Sequence, residues 1–114
     1  MYIASLCLEV YIVEREQALV ELKARLKNKN LVKHCIAVEA IMRDLAAHFE
    51  EDPEAWGTAG LLHDIDYDMT ADDPARHSIM GAEILDGLGV EEEIVYAVKA
   101  HNGFHGIERR RMID

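Results

Sequence analysis

Basic residues are scarce in this 114-residue chain: 12 lysines and arginines face 22 aspartates and glutamates, a formal net charge of −10. Proteins that track nucleic-acid phosphates present a basic face, so no nucleic-acid partner is expected. A small phosphorylated substrate stays compatible, because a bound cation inverts the local field. Cysteine is nearly absent. Cys7 and Cys35 lack a CxxC spacing, which excludes a disulfide framework and makes a reducing cytoplasm the expected compartment. With two prolines and 50% hydrophobic residues, the composition is that of a folded domain and not of a disordered segment. No apolar run reaches the roughly 20 residues that a bilayer requires. The apolar opening, residues 1–13, contains Glu9 and has no basic residue ahead of it. It reads as an extension that packs on the domain or on a partner subunit, not as a span or signal peptide.

What is present is helical periodicity. From Glu14, the residues Ala18, Leu19, Leu22 and Leu26 recur at three- and four-residue steps. Asn30 is a candidate cap for a second helix running from about Leu31 to Phe49, with the stripe Leu31, Cys35, Val38, Met42, Leu45 and Phe49. Asp52-Pro53 starts a third helix that passes Trp56 and ends near His63-Asp64. Pro74 is expected to open a fourth, which stops near Gly87, and Glu91-Glu92-Glu93 opens a fifth, which reaches His101. Nothing after residue 13 alternates at period two. The expectation is an all-α, compact single-domain bundle of about five helices over residues 14–114.

The chemistry concentrates at His63-Asp64. His34, His77 and His101 each fall on the apolar side of their own predicted helices, three, four or seven residues from core positions. One such histidine is an ordinary core residue. Four, with an aspartate beside one of them, suggest a metal site assembled across a bundle. Neutral imidazole plus carboxylate suits divalent transition metals, and one carboxylate can bridge two ions. His48, in a last helical turn, and His105, past a glycine, read as surface residues. The acidic loop Asp64-Asp66-Asp68 imitates the start of an EF-hand. Met69 and Ala75 occupy the positions where that loop needs glycine and glutamate, so calcium is excluded. Asp66 or Asp68 then orients a ligand, handles a proton or is simply solvated. Lys99 reads as a solvated lysine and Cys35 as a buried, inert thiol. No glycine-rich phosphate loop is present.

The segments Leu31-Val-Lys-His34, Ala59-Gly-Leu-Leu-His-Asp-Ile-Asp66, His77-Ser-Ile-Met-Gly-Ala82 and Ala97-Val-Lys-Ala-His-Asn102 resemble, in order and spacing, the HD superfamily of metal-dependent phosphohydrolases. The resemblance covers roughly Ala18 to Ile107. It implies an all-α fold and a metal held by His34, His63 and Asp64, with His77 and His101 completing a second, Asp64-bridged site. It also implies hydrolysis of a phosphomonoester, such as a nucleotide or another small phosphorylated metabolite, with Asp66 positioning water or its proton. The metal, one or two ions, is Fe, Mn, Zn, Ni, Co or Mg. The family's distal aspartate is expected on a further helix, and the chain gives Gly106 to Asp114 where that helix should begin. Asp114 arrives early, at what is expected to be a frayed terminus. An uncovered core face is then expected to be filled by the N-terminal extension or by a second subunit, giving a homo-oligomer, a dimer in the simplest case. The alternative function is a catalytically impaired metal- or ligand-binding module with a regulatory or oligomerisation role.

Overall fold

A computed structural model describes residues 14–114; the expected N-terminal extension, residues 1–13, lies outside the described residues. Among the described residues there are five α-helices and no strand: α1 Arg15–Arg25, α2 Lys29–His48, α3 Pro53–Leu62, α4 Ile79–Gly87 and α5 Glu92–Ala100. Short 3-10 turns occupy Asp68–Thr70, Pro74–Arg76 and Gly103–His105. None of these helices is long and apolar enough to cross a membrane.

The start signals act as expected at α3, where the Asp52 carboxylate accepts from the Glu54 N–H and Pro53 takes the first position. At α2 the cap is Asn28 and not Asn30: its side chain accepts from the Asn30 and Leu31 N–H groups, so the helix begins earlier. α3 is apolar on every side and correspondingly central. It packs against α1, α2 and α5, and Trp56, Ala59, Leu61 and Leu62 are buried. Its small residues set how closely α2 approaches. A Cβ added at Gly60 would lie 2.9 Å from the Val38 carbonyl oxygen, a backbone contact that cannot yield. The core continues through Leu22, Ile65, Leu85 and Val98, all fully buried.

Two features depart from the periodic reading. On α2, Ile41, Leu45 and Phe49 are exposed, whereas Val32, Cys35, Glu39 and Ala46 are buried. Glu39 is tolerated there because Arg15 of α1 grips both of its oxygens, at 2.8 and 3.0 Å, and Arg43 lies 3.5 Å away. The buried face is thus rotated towards the ion pair. The fourth helix begins at Ile79 and not at Pro74. His77 is extended and Ser78 has a φ of 73°, so the chain turns sharply just before α4.

Candidate metal centre

Four histidines reach one carboxylate from four places in the fold. His63 caps the C-terminus of α3 and His101 that of α5. The carbonyls of a helix's last turn lack intrahelical partners, and both histidines use one: His63 Nδ1 donates to the Gly60 carbonyl at 2.7 Å, and His101 Nδ1 to that of Val98 at 2.5 Å. A carbonyl only accepts, so Nδ1 carries a proton, and in the neutral ring the Nε2 lone pair points away from the helix. His77 reaches the same state differently, its Nδ1 lying 2.7 Å from Asp66 Oδ1. His34, on the second turn of α2, is the most exposed of the four.

All four Nε2 atoms converge on Asp64. Oδ2 lies 3.1 Å from His63 and 3.6 Å from His34; Oδ1 lies 3.3 Å from His77 and 3.6 Å from His101. Two donor triads result, His34-His63-Asp64 and Asp64-His77-His101, each compact enough to hold a metal ion and each using Asp64. Neutral imidazole lone pairs aimed at a carboxylate repel it. The arrangement requires positive charge between them, from protons or from a metal cation. This donor set, nitrogen-rich with one shared carboxylate, fits a divalent transition metal.

Without metal, a proton on His63 supplies part of that charge. Burial alone would raise the Asp64 carboxyl. Hydrogen bonds and charge from His101 and His63 outweigh it and hold the group far below the ordinary 3.8. Burial opposes a charged His63, but the hydrogen bond and charge of Asp64, helped by the Gly60 carbonyl, raise it above 6.5. Cys35, buried nearby, is pushed up to about 12 by burial first and by the Asp64 charge second, and remains a thiol.

These shifts carry opposite signs in stability. The depressed Asp64 contributes fully above its unfolded value near 3.8, and that contribution disappears as pH falls through the folded value. The raised His63 contributes fully below 6.5, and its contribution disappears as pH rises through the folded value. Chelator-treated protein is expected to melt highest between these limits and at lower temperature as pH rises above them. Added divalent cation reverses that slope, because coordination needs deprotonated imidazole. Thermal denaturation at a series of pH values, with chelator or with Mn²⁺, checks this; the same slope in both conditions would contradict it.

Asp66 is fully buried and its oxygens are engaged. Besides His77, it accepts from the Ser78 N–H at 2.7 Å and the Gly81 N–H at 2.8 Å, both through Oδ2. It therefore caps α4 from outside that helix and starts it at Ile79. Of the roles expected for Asp66, this geometry fits orientation of the His77 ring, since both of its oxygens are taken by protein donors. Asp68 is instead a surface tie that accepts the Lys27 N–H at 2.9 Å.

His77 enters the cluster from the segment before α4 and not from a helix face. Its carbonyl is held by His105 Nε2 at 2.7 Å and by the Asn102 amide at 3.1 Å. His105, read from sequence as a surface residue, is thus a scaffold for His77. No spacing rule reveals that link across 28 residues. His48 is exposed. Asp114 is not one of the triad residues. Ile113 is buried, and Asp114 shares a cavity of about 170 Å³ with His63 and His101. Asp114 Oδ1 is buried there without a hydrogen-bond partner, so this segment is docked and not frayed.

A family model described as HD domain matches residues 31–114. An uncharacterised protein of Methanocaldococcus jannaschii is 36% identical over 107 residues, which cover 90% of this chain and 61% of that protein. Ribonuclease Y of Acidothermus cellulolyticus is 30% identical over 83% of this chain and 20% of its own length. Ribonuclease Y of Clostridium tetani is 34% identical over 79% of this chain and 19% of its own. The chain thus spans less than two thirds of the first relative and about a fifth of each ribonuclease. No solved structure matches significantly.

Proposed function

The chain belongs to the HD-domain family, whose members are metal-dependent phosphohydrolases, and on that premise we propose that it hydrolyses small phosphomonoesters. The observation that carries the reading is the set of four Nε2 atoms gathered on the two oxygens of Asp64, with three of the Nδ1 atoms committed elsewhere. His34, His63 and Asp64 would hold one divalent ion, and Asp64, His77 and His101 a second. Metal bound there acidifies water and neutralises phosphoryl oxygens. The chain's own part is to hold a proton on Nδ1 of three of these histidines, so that Nε2 is the nitrogen that faces the ion. The Gly60 and Val98 carbonyls do this for His63 and His101, and Asp66 does it for His77. The mixed nitrogen and oxygen donors favour iron, manganese, zinc, nickel or cobalt over magnesium, which prefers oxygen.

The test combines elemental analysis after reconstitution with each metal and a panel of phosphoesters assayed with and without chelator. Phosphomonoester turnover that disappears on chelation and returns with metal is the expected result. Failure to retain any metal overturns the reading. The ribonuclease Y relatives favour a second reading, phosphodiester cleavage, which RNA or bis(p-nitrophenyl) phosphate turning over faster than every monoester would select. Metal binding without turnover of any ester would instead select the impaired binding module.

A further inference from the structure

Ser78 is a serine in a place that favours glycine. Two non-glycine residues among the described residues have a positive φ, Glu50 and Ser78. Glu50 is exposed at the end of α2, whereas Ser78 is fully buried. With φ 73° and ψ −31°, Ser78 also lies outside the small left-handed well that side chains tolerate. Glycine would take this conformation without a Cβ penalty. Strain of this kind persists only where the surroundings over-determine it, and it gathers at functional sites. Every polar group of Ser78 is engaged. Its N–H donates to Asp66 Oδ2 at 2.7 Å, its carbonyl accepts the Ala82 N–H at 2.9 Å, and its hydroxyl donates to the Lys99 carbonyl at 3.0 Å.

The hydroxyl bond departs from the usual use of such a serine. At the start of a helix, a serine ordinarily turns its oxygen back onto that helix's first N–H groups. Ser78 occupies this position in α4 and makes no such bond, because Asp66 already takes the Gly81 N–H. Its hydroxyl is left to reach α5, where Lys99 belongs to the last turn, whose carbonyls lack intrahelical partners. One bond across 21 residues thereby joins the residue after His77 to the residue two before His101. These are the two histidines of one triad. Their rings meet edge-on with centroids 5.1 Å apart, and their Nε2 atoms face Asp64 Oδ1 at 3.3 and 3.6 Å.

Resting on the metal-centre part of the proposed function, we infer that Ser78 is a positioning residue for the second metal site. It sets the separation of His77 and His101, so that Asp64 bridges two ions and does not serve one alone. The signature of this role is a separation of stability from affinity. Ser78→Gly removes the hydroxyl and the strain together, whereas Ser78→Ala removes the hydroxyl and keeps the strain. The metal-free glycine variant is therefore expected to melt higher than the alanine variant, while the two lose metal affinity alike.

The experiment titrates the chelator-treated full chain with Mn²⁺ in a calorimeter and records melting curves of the same metal-free samples. Two classes of site are expected in the wild-type protein, and His101→Ala identifies the class of its own triad by abolishing it. In both Ser78 variants that class is expected to weaken ~tenfold or more, as when the support behind a ligating histidine is lost. The class built on His34 and His63 keeps its affinity. Wild-type affinity for both classes in Ser78→Gly overturns the inference. So does an affinity that ranks with melting temperature, weaker in Ser78→Ala than in Ser78→Gly, because a purely structural residue gives that pattern. A wild-type protein with a single class of site overturns the bridging role and leaves a metal centre. One that binds none of Mn²⁺, Fe²⁺, Zn²⁺, Co²⁺ or Ni²⁺ overturns the metal centre itself.

Discussion

Asp64→Asn is expected to strip the protein of metal and to lower phosphomonoester turnover by ~10³-fold or more, since several kcal/mol of charge stabilisation disappear at ~1.4 kcal/mol per decade. The substitution keeps size and shape and removes only the negative charge. That charge is the one ligand both triads use, so no other residue of either triad offsets its loss. The same variant separates binding from folding. Metal at ~100 times its Kd stabilises a native state by ~2.7 kcal/mol, and for a domain near this size each kcal/mol raises Tm by ~4–8 °C. The wild-type protein should therefore gain ~10 °C or more on addition of metal, and Asp64→Asn almost nothing. Elemental analysis, ester hydrolysis and paired melting curves check the three parts together. A variant that retains metal and the full thermal increment would refute the placement of Asp64 at the centre.

Asp66→Ala is expected to be the most destabilising single substitution near the site, and Asp66→Asn the most informative. Alanine leaves the Ser78 and Gly81 N–H groups and His77 Nδ1 without the acceptor they share. Orphaned buried donors cost ~1–3 kcal/mol each, so a loss of ~3 kcal/mol or more in all is expected, a large part of a typical domain's ~5–15 kcal/mol. Asparagine preserves the volume and keeps one oxygen. If that oxygen stays with the two backbone donors, the amide NH₂ faces His77 Nδ1 and drives the proton to Nε2, the atom that faces Asp64. Affinity at the triad containing His77 should then fall ~10–100-fold, as is usual when the partner behind a ligating histidine is removed. The triad built on His34 and His63 should keep its metal. A metal titration showing one weakened and one unchanged class of site is the expected result, and two unchanged classes would refute the orienting role.

Much of this architecture is written locally. The three- and four-residue recurrence of apolar positions marks the helices, and Asp52-Pro53 marks the start of α3. His63 and His101 are legible because a histidine closing an apolar helix falls at a helix C-terminus, where an unpaired carbonyl waits three residues back. His77 shows where this logic stops. Its spacing to Met80, Gly81 and Ile84 reads as one helix face, but the helix begins after it, because the Asp66 carboxylate supplies a cap that no local pattern announces. The same holds on α2: a glutamate displaces leucine and phenylalanine from the buried face only because Arg15, 24 residues earlier, closes both of its oxygens. The docking of Ile113 and Asp114 against the cluster has no periodic signature either.

Local pattern and motif order account for the helix inventory, the all-α class, the HD-domain family and the residues that converge on Asp64. Each depends on relations within a few residues or on motifs read in order. Packing of the helices sets which nitrogen of each histidine faces the carboxylate, places Asp66 behind His77, lets His105 and Asn102 fasten that histidine, and brings Tyr67 and Phe104 to a cavity beside it. Backbone hydrogen bonding links residues four apart and so leaves a periodic trace in the chain. A buried polar group takes whichever partner the packed helices bring within 3 Å, however far away in sequence, and leaves no such trace.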